Sequence, residues 1–144
     1  MATSASSRTS ATSSVNRLLG YILGVVFLLI GALGFAVTSG VGFADQDGKT
    51  LLGFEVNPLH NIVHLLVGVV LLLGASRGVA AARSANIAIG GTYLVVGIIG
   101  LFILDSSANI LALNSADNVL HLGSALILLA VALTQDKTTD RARV

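Results

Sequence analysis

Four stretches of this chain carry no Asp, Glu, Lys or Arg: residues 18–44, 56–76, 84–104 and 118–135. At a rise of about 1.5 Å per residue, roughly 20 apolar residues cross a hydrocarbon core about 30 Å thick. The first and third stretches satisfy that length. The second and fourth lie near its lower limit, and each opens on polar residues. The pattern predicts four membrane spans. A soluble fold is excluded on composition: only 10% of the 144 residues are charged, against about 25% in an ordinary soluble domain.

The loops predict an orientation. Arg8 and Arg17 precede the first span, Arg77 and Arg83 separate the second from the third, and Lys137, Arg141 and Arg143 follow the fourth. Lys49 alone falls on the opposite side, with Asp45, Asp47, Glu55, Asp105 and Asp117. Basic residues mark the cytoplasmic side, so both termini are expected there. Residues 1–16 are rich in Ser, Thr and Ala without apolar periodicity and are expected to form a disordered cytoplasmic tail, as are residues 135–144. Arg8 and Arg17 ahead of an apolar run, with Gly42-Phe43-Ala44 after it, resemble a cleaved signal peptide. The apolar run of residues 18–37 is longer than the 7–15 residues of a signal-peptide core, so the first span is expected to be retained. The expected division is a tail over 1–16, a membrane domain over 17–134 with spans at about 18–37, 59–75, 85–104 and 118–134, and a tail over 135–144.

Several chemistries are excluded outright. The chain has no cysteine, which removes disulfides, thiolate metal sites, cysteine nucleophiles and iron–sulfur clusters. A net charge of +1 without a basic run gives no nucleic-acid partner. There is no Trp, and Tyr21 and Tyr93 are the two Tyr residues available as interfacial anchors. Ser124 follows His121 by three residues, but nothing supplies an oxyanion hole, and no enzymatic activity is expected.

Spans two and four resemble each other. Asn57-Pro58-Leu59-His60-Asn61-Ile62-Val63-His64-Leu65 aligns without gaps on Asn114-Ser115-Ala116-Asp117-Asn118-Val119-Leu120-His121-Leu122. Spans one and three match more loosely, through Tyr21-Ile22-Leu23 and Tyr93-Leu94-Val95. A helical hairpin duplicated in tandem accounts for both matches.

Each copy carries Asn-x3-Asn-x2-His: Asn57, Asn61 and His64, then Asn114, Asn118 and His121. Positions i, i+4 and i+7 lie within about 60° of one another on a helix. Polar groups facing lipid are costly, so both stripes are expected to turn inward. In the plainer reading Asn57 is an N-cap, Pro58 occupies N1, and the inner Asn and His side chains hydrogen-bond across helices. Three sharper readings remain open. A metal site would draw on His60, His64, Asp117 and His121. A proton or ion path would use imidazole, and haem would need His64 and His121. No cofactor or resident metal is expected.

In span one, Gly20, Gly24, Gly31 and Gly34 fall within about 80° on one helix face. Gly90 and Gly97 repeat the pattern weakly in span three. Such faces let helices approach closely, within the bundle or between proteins.

The paired motifs ending in His64-Leu65 and His121-Leu122 resemble the signature of the bacterial, chiefly actinobacterial, membrane proteins known as domain of unknown function 4383. The resemblance covers roughly residues 16–133. It implies a four-span protein of the bacterial plasma membrane and implies no activity or catalytic residues. The expected fold is all-α, a four-helix transmembrane bundle built from two tandem helical-hairpin repeats. The leading functional expectation is a non-enzymatic scaffold or accessory component. Its partners are the lipid bilayer and, through helix contacts, other membrane proteins or further copies of itself. The alternative is a small binding or transport module using the His/Asn stripe near the outer face.

Overall fold

The computed structural model describes residues 14–136. Its element order is α1 (Val15–Val37), β1 (Lys49–Leu51), β2 (Phe54–Val56), α2 (Pro58–Arg77), α3 (Val79–Ile103) and α4 (Ser115–Thr134). Lipid offers no hydrogen bonds, so a spanning backbone must satisfy its own, and the charge-free runs close into helices. All four are long and apolar enough to cross a membrane. Fewer than half the residues of each span are buried. The exposed remainder is apolar, with Leu29, Val95, Ile98 and Leu126 turned outward. Hydrocarbon solvates such a surface and water does not. The chain is a multi-pass membrane protein with an all-helical transmembrane bundle.

Local sequence sets the helix starts. Ser14 caps α1 by accepting from Arg17 N–H, and Asn57 caps α2 by accepting from His60 N–H, with Pro58 in the first turn. Asn114 and Asp117 form a reciprocal capping box at α4. Between α2 and α3 stands one residue, Gly78, at φ 125°, a conformation that essentially requires glycine. Ser14, Val15 and Asn16 open α1 rather than ending a tail. Of Gln135 and Asp136, likewise expected in a tail, the first is the C-cap of α4 and the second bonds back to Ser14 and Asn16. Ser14 and Asn16 are fully buried at the start of α1. The rest of that tail and residues 137–144 lie outside the described residues, as do Arg8, Lys137, Arg141 and Arg143.

The α1–α2 loop contains a feature that the sequence reading missed, a two-stranded antiparallel hairpin with Lys49 opposite Val56 and Leu51 opposite Phe54. Leu52 and Gly53 turn it at φ 55° and 94°, the positive-φ pair of a two-residue hairpin turn.

Helix α1 packs chiefly on α2 and α3 on α4, with α2–α3 and α1–α3 contacts joining the two hairpins. The core includes Phe27, Leu71, Ile89, Tyr93 and Leu128. Equivalent contacts recur in both hairpins. Arg17 Nε donates to Ala75 O at 2.8 Å, and Arg83 Nε to Ala132 O at 3.1 Å. A methyl group on Gly24 would lie 2.7 Å from Leu72 Cγ, and one on Gly90 2.9 Å from Leu129 Cγ. Gly31 meets Leu65 as Gly97 meets Leu122, and Gly34 meets Asn61 as Gly100 meets Asn118. One sequence shift relates all these α1 and α3 partners, and it pairs Phe27 with Tyr93. Tyr21 is therefore not the contact-level counterpart of Tyr93. Nor is Tyr93 an interfacial anchor. It is 2% exposed, in the core.

Candidate functional site

The end of the bundle that carries both interhelical loops is tied together by the two N-cap asparagines. Each uses its carboxamide oxygen to cap its own helix and its nitrogen to reach the opposite hairpin. Asn57 Nδ2 donates to Ile110 O and to Asp45 O, both at 2.8 Å. Asn114 Nδ2 donates to Gly53 O, at the turn of the β-hairpin, at 3.0 Å. Asn109 shapes the second loop by donating to Leu104 O and Leu113 O while accepting from Leu113 N–H.

Beneath this clasp lie His60 and His64 of α2 and His121 of α4, at 1%, 2% and 3% exposure. One ring nitrogen from each falls within 4.8 Å of the others. Both His64 and His121 sit six residues past their helix starts, about 9 Å along the axis. His60 Nδ1 lies 3.2 Å from Glu55 O, and His60 Nε2 lies 2.8 Å from His64 Nε2. A carbonyl only accepts, so Nδ1 of His60 carries the proton and its Nε2 is a bare acceptor in the neutral ring. His64 then donates through Nε2, which leaves its Nδ1 as a lone pair.

That lone pair has no hydrogen-bond partner, and neither does Nδ1 of His121. Asn61 Oδ1, Tyr93 OH and both polar atoms of the Asn118 carboxamide are also buried without one. An unsatisfied buried polar atom costs about 1–3 kcal/mol. Apolar residues would pack here at lower cost, which makes the histidine cluster the candidate site. Two aromatic rings floor it: Phe27 stands 5.4 Å from His64, and Tyr93 meets His121 edge-on at 4.8 Å. The two rings contact each other at 5.3 Å.

The sequence-predicted residues divide into three groups. The histidines converge. Asn57 and Asn114 are caps and loop ties. Asn61 and Asn118 point into their own hairpins, against Gly34 and Gly100, with Asn61 Nδ2 donating to Thr38 Oγ1 at 3.0 Å. The expected hydrogen bonding across helices is made by Asn61, which reaches the C-cap of α1; His64 instead bonds His60 within α2. Asp117 also departs from the sequence reading. Its Oδ2 accepts from Asn114 N–H at 3.0 Å and from Glu55 N–H at 3.3 Å, and it stands outside the group of converging ligand atoms. The glycines Gly20, Gly24, Gly31 and Gly34 all face α2.

Sequence reasoning missed the floor residue Phe27, and Glu55 as the backbone partner of His60. It also missed a polar knot at the other end of the bundle. Asp136 accepts from Ser14 Oγ at 2.8 Å, from Asn16 N–H at 3.0 Å and from Asn16 Nδ2 at 2.9 Å. Asn86 Nδ2 donates to Asn16 Oδ1 at 3.1 Å. Partial burial pushes the Asp136 carboxyl up, but the hydrogen bonds from Asn16, Ser14 and Val15 outweigh it and hold it below the usual range. Two isolated asparagines near span ends were the available signal. An apolar depression between α3 and the 108–113 loop, lined by Val96, Ile99 and Ile103, carries no group capable of chemistry.

The model of the family described as Domain of unknown function (DUF4383) matches residues 17–134. No curated protein and no solved structure matches the chain.

Proposed function

The chain belongs to the DUF4383 family, and on that premise we propose that it is a non-enzymatic binding module whose ligand site is the histidine cluster between the two hairpins. The observation that carries this reading is the convergence of His60, His64 and His121 on one point with ring nitrogens left unpaired. Histidines acting only as glue would hydrogen-bond across the hairpins. Here the one imidazole–imidazole bond is within α2. The scaffold reading is less well supported, because the glycine faces that would receive a partner helix pack on α2 instead.

The recurring contacts of α1–α2 and α3–α4 support an origin by tandem duplication. The site would open to the outer face of a bacterial plasma membrane. Arg17, Arg77 and Arg83 lie at the opposite end, with the start of α1 and the end of α4, and basic ends stay cytoplasmic. The test is native mass spectrometry of the protein released from its own membranes in mild detergent. The proposal expects a bound mass on wild type that is lost from His64→Gln. Wild type free of any such mass, or an equal mass on both proteins, would contradict it.

A further inference from the structure

We propose that His60, His64 and His121 form a three-nitrogen site for a late first-row transition-metal cation of the zinc type. This rests on the binding reading above and names its ligand class. Imidazole nitrogen suits zinc, copper and nickel, whereas calcium and magnesium demand oxygen. The nearby carboxylate is already engaged, since Asp117 Oδ2 holds the amides of Asn114 and Glu55. A hard cation finds no ligand set here.

Geometry agrees with the chemistry. Zinc–nitrogen bonds of about 2.0–2.1 Å in a tetrahedron place ligand atoms about 3.3 Å apart. The three candidate nitrogens lie within 4.8 Å of one another, and the His60–His64 pair stands at 2.8 Å. Metal binding would replace that hydrogen bond by coordination through both Nε2 atoms, with the His64 proton moving from Nε2 to the unpaired Nδ1. His60 and His64 are one helical turn apart and reach the same side of α2. His121 enters from the other hairpin.

The surroundings of His60 are those of a metal ligand. Ligating imidazoles ordinarily donate their second nitrogen to a carbonyl or carboxylate, which fixes the ring. His60 Nδ1 donates to Glu55 O, and Glu55 is itself held by Asp117 through its N–H. The acceptor Nε2 is thereby aimed at His64. The unpaired Nδ1 atoms of His64 and His121 supply lone pairs, either as ligands or, after a tautomer change, as N–H groups beside the site. Three protein ligands leave the fourth tetrahedral position open. Because the imidazoles are neutral, that position suits an anionic ligand such as hydroxide or chloride.

The experiment is a Zn2+ titration of the full chain in detergent after dialysis against a chelator. Equilibrium dialysis should find one Zn2+ per chain. At a hundredfold excess over Kd the unfolding temperature should rise by about 5–10 °C, and Mg2+ at the same concentration should leave it unchanged. His60→Gln and His121→Gln should abolish both binding and shift. Should a variant fail to fold, Co2+ added to wild type must still give the visible absorption bands of a tetrahedral nitrogen site. Absence of bound Zn2+ in wild type, or an unchanged shift in folded His121→Gln, would overturn the proposal. A bound mass of another kind that depends on His64, without Zn2+ binding, would overturn this inference and leave the binding reading standing.

Discussion

The rings of His64 and His121 lie 6.4 Å apart and 21° from parallel, although one belongs to α2 and the other to α4. Each occupies the same place in its helix, two turns in from a capping asparagine. Neither ring hydrogen-bonds the other. Two matched helices have brought matched imidazoles together and left the Nδ1 of each unpaired.

Glycine in the hairpin interfaces sets how closely α1 approaches α2. A methyl group on Gly31 would stand 2.8 Å from Asn61 O and 2.9 Å from Leu65 Cγ, whereas one on Gly91 would meet nothing within 4 Å. Gly31→Ala should therefore cost about 1–3 kcal/mol, the usual penalty for overpacking. Gly91→Ala should be neutral or stabilise by up to about 1 kcal/mol through helix propensity. Unfolding in detergent measures both. Equal behaviour of the two variants would remove the argument for close approach at Gly31.

Orientation rests on the basic residues at the terminal end. Reporter fusions after Asp47, Arg83, Ser107 and Gln135 should read outside, inside, outside and inside. An external signal at Arg83 would reject four spans with cytoplasmic ends.

Much of this was legible in the sequence because membrane solvation acts through simple counts. Charge-free length marks the helices, and Asn57-Pro58 marks the start of α2 by cap and imino-acid chemistry. The recurrence of Asn-x3-Asn-x2-His placed His64 and His121 at equivalent depths. The rest depends on register between elements. The Tyr21–Tyr93 match came from local similarity, but close packing at Gly24, Gly31 and Gly34 sets the register and pairs Phe27 with Tyr93 instead. Asp117 looked like a ligand because it aligns with His60. Its carboxylate turns back to the α4 cap and to Glu55, and only the fold of the β-hairpin brings Glu55 there. That hairpin is not legible in the sequence because Leu52-Gly53 lacks the usual Asn-Gly or Asp-Gly turn signal.

Asp136 ties the end of α4 to the start of α1. Its carboxyl is held below its ordinary value, so the charged form favours the folded state. That stabilisation is present in full above the unfolded pKa, about 3.9, and is lost as pH falls through the lower folded value. The unfolding temperature of wild type should therefore drop more steeply on acidification from about pH 5 to pH 3 than that of Asp136→Asn. Parallel curves would show that the knot does not hold the carboxylate in its charged form.

The two hairpins jointly place three imidazoles at one point, an arrangement that solid-state NMR of histidine-labelled protein in bilayers can read out. The chain contains three histidines, so single His→Gln variants assign every ring signal. In metal-free protein at neutral pH, His60 should carry a protonated Nδ1 and His64 a protonated Nε2, and His121 should show through-space contacts to both rings. A His121 ring with no contact to either α2 histidine would contradict this arrangement.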